Sequence, residues 1–291
     1  MKVLVLGATG MLGHKLVQNL SPVFSTYGTL RRSPDTVAGH PAFSGTTLIG
    51  SVDAFDISSV RQAIQSVKPD VVVNSIGIVK QLPEALNPVK SITINSLFPH
   101  QIAEICQNMH IRFIHYSTDC VFSGMRGNYR EEDLPDADDL YGRTKLLGEV
   151  TGAGCLTLRT SIIGRELGTA HGLIEWFLGQ EGKCVKGYQC AYFSGLTTNA
   201  HAGILAQVIG NYPDLHGLYH LSAPRISKYD LLNIVKRTYN CTIDIEPDSR
   251  EKTDRSLDGT RFRTSTNILI PSWPEMISEM YQDPTPYKSM R

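Results

Sequence analysis

The sequence predicts an α/β protein with a doubly wound parallel sheet and a smaller carboxyl-terminal α/β lobe. Three observations carry that prediction. Strand-like and helix-like apolar patterns alternate through the first half of the chain, as in parallel strands joined by helical crossovers. The run Gly7-Ala8-Thr9-Gly10-Met11-Leu12-Gly13 follows an apolar strand and opens a helical pattern. Asp70-Val71-Val72-Val73-Asn74-Ser75 is nearly continuous in apolar residues, as expected of a central strand covered on both faces.

In order, residues 2–6 read as a strand, and residues 11–20 as a helix with Leu12, Leu16 and Leu20 on one face. Residues 23–27 are expected as a second strand, 29–45 as a loop and 48–54 as a third strand. Ser58, a residue type favoured at helix starts, opens a helix to residue 67. A central strand at 70–75, a long helix at 91–109 and a strand at 112–117 follow. Residues 138–151 read as a helix and 156–159 as a strand. Beyond them come helices at 171–180 and 200–209, a strand at 217–221 and a helix at 228–239. Pro271, Pro274, Pro284 and Pro286 predict a loop-rich cap with a short helix at 275–281. The chain of 291 residues divides near residue 160, giving units at 1–160 and 161–291 with strands free to cross back.

Lys plus Arg and Asp plus Glu number 28 each, so no long-range field attracts nucleic acid or an anionic membrane. The apolar run Val3 to Leu6 is too short for a signal-peptide core, and no later run approaches a membrane span. A cytoplasmic location is expected. Cysteines 106, 120, 155, 184, 190 and 241 form no CxxC pair and match no zinc spacing. Reduced, mostly buried thiols are expected, with neither disulfide nor metal site.

Gly7, Gly10 and Gly13 suit a turn whose backbone bends tightly and approaches a pyrophosphate. With Thr9, Met11 and Leu12 they form a candidate loop, and the helix after it aims free N–H groups at the anion. This is the arrangement of a Rossmann-type dinucleotide site. Arg31 and Arg32 stand where an acidic residue would hold a free ribose 2′-hydroxyl, and no Asp or Glu occurs between Val23 and Arg32. NADPH is therefore favoured, with NADH the lesser alternative. Asp56 and Ile57 are expected either at the adenine or as the start of a helix. Asn74, Ser75 and Ile76 end the central strand and are expected beside the cofactor ribose. Asn95 reads as a polar helix residue, a kink stabiliser or a proton relay.

Tyr141 and Lys145 lie four apart, about one helical turn, so both emerge on one face. An ammonium beside a phenol favours phenolate and lowers its pKa from near 10. Thr118, in Ser117-Thr118-Asp119, is placed to donate a hydrogen bond to a substrate carbonyl.

These residues carry a resemblance. The chain looks like an extended short-chain dehydrogenase/reductase from Met1 to about Leu221. Ser117-Thr118-Asp119-Cys120-Val121-Phe122-Ser123-Gly124 is similar to the STDYVFDG stretch of dTDP-4-dehydrorhamnose reductases. Tyr129-Arg130-Glu131-Glu132-Asp133 with Pro135 resembles their Y-x-E-x-D-x-P segment. Tyr141-Gly142-Arg143-Thr144-Lys145-Leu146-Leu147-Gly148-Glu149 resembles their YGxTKLxGE helix, and Leu158-Arg159-Thr160-Ser161 their LRTS strand. Arg255-Ser256-Leu257-Asp258 is a looser match to a carboxyl-terminal segment. The resemblance implies NADPH-dependent reduction of the 4-keto group of a nucleotide-linked 4-dehydro-6-deoxyhexose, with Tyr141 as proton donor, Lys145 as its tuner and Thr118 as carbonyl donor.

Departures widen the substrate class. Cys120 replaces the usual Tyr, Ile162-Ile163 stand where Trp is frequent, and the stretch 176–198 differs. A dTDP- or UDP-linked sugar fits. Asp119 and Arg255 are the substrate-binding candidates, Arg165, Lys186 and Arg261 the weaker cations for a diphosphate, and Trp176, Tyr188, Tyr192 and Phe193 the aromatics for stacking. An NAD-dependent epimerase and a non-catalytic NADP-binding regulatory subunit stay open as alternatives, as does a homodimer.

Overall fold

The computed structural model describes residues 1–287. Six strands arise in the first half: β1 (Lys2–Leu6), β2 (Ser25–Thr29), β3 (Thr47–Ile49), β4 (Val71–Asn74), β5 (Arg112–Thr118) and β6 (Cys155–Thr160). Later come β7 (Ile162–Ile163), β8 (Cys184–Phe193), β9 (Leu196–Thr197), β10 (Gly217–His220), β11 (Ile226–Ser227) and β12 (Asp244–Asp254). The helices are α1 (Gly13–Leu20), α2 (Ile57–Val67), α3 (Pro88–Ser91), α4 (Phe98–Asn108), α5 (Leu140–Leu147), α6 (Leu173–Leu178), α7 (Thr198–Asn211), α8 (Lys228–Tyr239), α9 (Thr260–Thr266) and α10 (Trp273–Gln282).

Seven strands form one parallel sheet in the order β10-β6-β5-β4-β1-β2-β3. The period of two along each strand sorts its side chains between two cores. Val3 and Val5 join Leu16, Val17, Leu20, Leu205 and Val208 on one face, with α1 and α7. Leu4 and Leu6 join Val60, Ile64, Phe98 and Ile102 on the other, with α2 and α4. Complete burial of such side chains contributes roughly 1.5–3 kcal/mol each, which is why β1 and β4 read as continuous apolar runs.

The chain runs outward from β1 to β2 in one direction and from β4 to β5 in the other. The crevice therefore opens beyond the ends of β1 and β4, at Gly7 and Ser75. A smaller sheet, β11-β8-β12, and the parallel pair β7-β9 lie in the second half, while β10 returns to the main sheet beside β6.

Several expected boundaries move. The second strand begins at Ser25 because the amides of Val23 and Phe24 still bond back to Leu20. The third ends at Ile49, before Ser51 turns at φ 58°. The expected loop at 29–45 holds two short 3-10 turns, Pro34–Val37 and Pro41–Phe43. The first helix starts at Gly13 rather than residue 11. The long helix expected at 91–109 starts at Pro88 and widens to a π-turn over Ile92–Leu97 before α4. α5 is shorter than 138–151, starting after the Asp139 cap and ending at Gly148. The expected helix at 171–180 shortens to α6, whereas that at 200–209 lengthens to α7. β8, β12 and α9 have no counterpart in the sequence reading. β12 is largely exposed and polar, and it becomes a strand through pairing with β8. All six cysteines are free, but only Cys106 and Cys155 are buried and Cys184 is exposed, which corrects the expectation of mostly buried thiols. Among the described residues no helix is long and apolar enough to cross a membrane.

Candidate active site

The glycine loop is built for close approach. Gly7 has φ 84°, and a Cβ there would lie 2.7 Å from Ile76 Cγ1. A Cβ on Gly13 would lie 2.0 Å from the Gly7 carbonyl oxygen, so the third glycine lets α1 pack directly behind the turn. Gly10 differs. A Cβ there would meet only the Gly7 oxygen, at 3.4 Å, so packing within the chain does not demand glycine at this position. Thr9 and Gly10 are exposed, and the amides of Thr9, Met11 and Leu12 bond to no partner among the described residues. A bare backbone with free amides fits a pyrophosphate.

Leu6 and Gly7 meet the end of β4. Ser75 Oγ donates to the Leu6 carbonyl at 2.6 Å, and Asn74 Oδ1 accepts from the Ile76 amide at 3.0 Å. Asn74 Nδ2 lies 3.2 Å from His115 Nδ1, so the Asn74 side chain braces the strand end. Arg31 and Arg32 are exposed just beyond β2. Asp56 caps α2, accepting from the Ser58 amide at 3.1 Å, and Ile57 is the first helical residue.

Thr118 ends β5, and α5 holds Tyr141 and Lys145 against it. Two glycines set that distance. A Cβ on Gly142 would lie 2.2 Å from the Cys120 carbonyl oxygen, and one on Gly148 would lie 1.9 Å from the Asn95 carbonyl oxygen. The π-turn thus forms the seat of α5. Asn95 clamps residue 78 from both sides, accepting from its amide at 2.9 Å and donating to its carbonyl at 3.0 Å. Its Nδ2 also reaches Thr144 Oγ1 at 3.4 Å, so Asn95 stabilises the kink.

Tyr141 is half-buried, with Thr118 near enough to favour its phenolate. Burial raises its phenol above the usual range, as do Cys120 and Asp119 nearby. The expected lowering by Lys145 does not appear in the residues alone, where Lys145 Nζ donates to the Tyr116 carbonyl at 2.6 Å. Burial pushes that amine down to about 8, with Glu149 opposing. The residues alone therefore hold a protonated phenol. Thr118 Oγ1 donates to Asp119 Oδ1 at 3.2 Å and accepts from the Cys120 amide at 3.1 Å.

Glu149 and Arg159, each within a quoted motif, form a buried ion pair at 2.7 and 2.8 Å, and Ser117 Oγ donates to the same carboxylate at 2.6 Å. Neither residue was singled out by sequence reasoning, because the pairing joins the segment after α5 to β6 only in three dimensions.

Arg255 comes to the site from far along the chain. Its Nε donates to the Phe122 carbonyl at 3.0 Å. Burial raises the Asp119 carboxyl above the usual carboxylate value, and the Arg255 charge opposes that rise. The other expected cations have partners or lie outward. Arg165 pairs with Glu175 at 2.6 Å, Arg261 stacks on Tyr219 at 4.9 Å, and Lys186 is exposed on β8. Of the aromatics, Tyr192 is covered by Arg225 at 3.5 Å, and Phe193 packs on Trp273. Trp176 and Tyr188 are exposed. No group of His, Cys, Asp and Glu able to hold a metal occurs among the described residues.

The chain is similar to known proteins. A dTDP-4-dehydrorhamnose reductase of Salmonella typhimurium is 25% identical over 98% of this chain and 100% of its own length. A probable low-salt glycan biosynthesis reductase of Haloferax volcanii is 33% identical, over 51% of this chain and 48% of its own. The dTDP-4-dehydrorhamnose reductase of Bacillus anthracis, solved in complex with NADP, superposes with a TM-score of 0.78 at 20% identity, covering 96% of this chain and 98% of that one. The profile described as the RmlD substrate binding domain matches residues 1–285, and the chain belongs to that family.

Proposed function

We propose that this protein reduces the 4-keto group of a nucleotide-linked 4-dehydro-6-deoxyhexose, dTDP- or UDP-linked, with NADPH. The observation that carries this reading is the meeting of Thr118, at the end of β5, with α5, which carries a burial-raised Tyr141 phenol and Lys145 one helical turn away. The free amides of Thr9, Met11 and Leu12 hold the pyrophosphate, and Arg31 and Arg32 meet a 2′-phosphate. Bound there, the nicotinamide supplies a hydride to the carbonyl carbon.

The chain's residues handle the proton. Thr118 turns its hydroxyl from Asp119 to the substrate carbonyl, and Tyr141 protonates the oxygen as negative charge develops. A raised phenol suits this direction, since a proton donor must be protonated at neutral pH. Lys145 holds its charge beside the donor and supports the tyrosinate left behind. Arg255, next to Asp119 and the residue 118–122 turn, reaches for the diphosphate. In this reading residues 1–160 bind the dinucleotide and 161–291 the sugar nucleotide.

The test is NADPH oxidation at 340 nm with UDP-, dTDP- and GDP-linked 4-keto-6-deoxyhexoses. Turnover with one of them names the base. Tyr141→Phe should cut the rate by about 10²–10⁴ while NADPH binding persists. An unchanged rate would remove Tyr141 from the mechanism, and binding without turnover of any sugar would favour a regulatory subunit.

A further inference from the structure

We infer that His14 and Tyr287 form a latch by which the carboxyl-terminal segment positions the glycine loop for a pyrophosphate, an inference that rests on the dinucleotide reading above. His14 is the second residue of α1 and fully buried. Its Nδ1 lies 2.9 Å from the Gly10 carbonyl oxygen, which also accepts the His14 amide at 3.1 Å. In a trans peptide the C=O and the following N–H point in opposite directions. A Gly10 carbonyl held inward against α1 therefore turns the Met11 amide outward, to the exposed side of the loop.

The second ring nitrogen faces the tail. A carbonyl can only accept, so Nδ1 carries the proton that bonds Gly10. Burial pushes His14 down to about 4, so the ring is neutral near pH 7 and Nε2 offers only a lone pair. Tyr287 Oη donates to Asp283 Oδ2 at 3.0 Å, and Nε2 lies 3.3 Å from the same hydroxyl as its second, longer acceptor. Lys15, Asn199 and Thr285 hold that carboxylate in place.

Tyr287 is itself held on both sides. Its ring meets His14 edge-on at 5.7 Å, and the Arg165 guanidinium covers it at 4.6 Å. The buried Lys15–Asp283 ion pair ties the next residue of α1 to the same segment. The latch thus joins the glycine loop, the loop after β7 and the tail, 273 residues beyond His14.

NADPH fluorescence titration of the full chain tests it, with affinity for adenosine 2′-monophosphate, which has no pyrophosphate, measured alongside. His14→Ala should raise the Kd for NADPH about tenfold, while His14→Asn, whose amide N–H can replace Nδ1–H, recovers most of it. Tyr287→Phe should raise it about threefold. Affinity for the monophosphate should hold in all three. A folded His14→Ala that binds NADPH like wild type overturns the latch, as does equal loss for both ligands. If His14→Ala does not fold, an unchanged Kd in Tyr287→Phe overturns it. Wild type that binds no dinucleotide removes the underlying reading instead.

Discussion

Replacing Gly148 by Ala tests whether the π-turn seats the catalytic helix. Intrinsic propensity does not decide the change, since Gly148 is the cap of α5 and not part of its interior. The backbone permits it: Gly148 has φ −91° and ψ 1°, which any residue adopts. Only the contact opposes it. The new Cβ would sit 1.9 Å from the Asn95 carbonyl oxygen and 3.0 Å from its carbon. Restoring ordinary van der Waals separation requires a displacement of ~1.5 Å at the end of α5 or in the π-turn. Overpacking of that kind costs about 1–3 kcal/mol. A shift of that size at Tyr141 should lower turnover about 10²-fold. Urea unfolding reads the stability, and NADPH oxidation reads the turnover. Gly203→Ala in α7 is the control, because a Cβ there meets nothing within 4 Å and should stabilise by about 0.5–1 kcal/mol. A Gly148→Ala protein as stable and active as wild type would refute the seating argument.

Glu149→Gln leaves the Arg159 charge buried without its partner and should cost about 3–5 kcal/mol, seen as a lower urea midpoint. The double change Glu149→Leu with Arg159→Met should cost less than the single one. For Lys145, pushed down to about 8 from 10.5, kcat/KM should fall as pH rises through about 8 and the ammonium is lost. Its effect on stability has the opposite sign: the unfolded state holds more protons between those values, so stability rises with pH across that window and is lost as pH falls through about 8. An activity profile flat to pH 9.5 would exclude Lys145 as the charged group. His14, His201 and His220 are each pushed from 6.5 to about 4, chiefly by burial. Their contribution is complete above 6.5 and lost as pH falls through about 4, roughly 3 kcal/mol each at most. Urea midpoints at pH 7 and pH 5 should show the decline, and equal midpoints would contradict it.

Local signals were legible in the sequence because their causes are local. The glycine spacing prescribes a turn that only bare backbone can make, and Gly7 at φ 84° is that turn. The apolar runs of β1 and β4 report burial on two faces, and four-residue spacing puts Tyr141 and Lys145 on one face of α5. What depends on a distant partner was not legible. β12 carries no strand pattern and exists through β8. Asn95 read as a polar helix residue, a kink stabiliser or a proton relay, and only the π-turn singled out the clamp. Lys145 was expected to act on the phenol, but the tertiary structure gave its ammonium the Tyr116 carbonyl and let burial raise Tyr141. Glu149 meets Arg159, and His14 meets Tyr287, across stretches that no spacing rule spans. Propensity and periodicity act over a few residues, whereas desolvation and pairing depend on whatever the folded chain brings alongside.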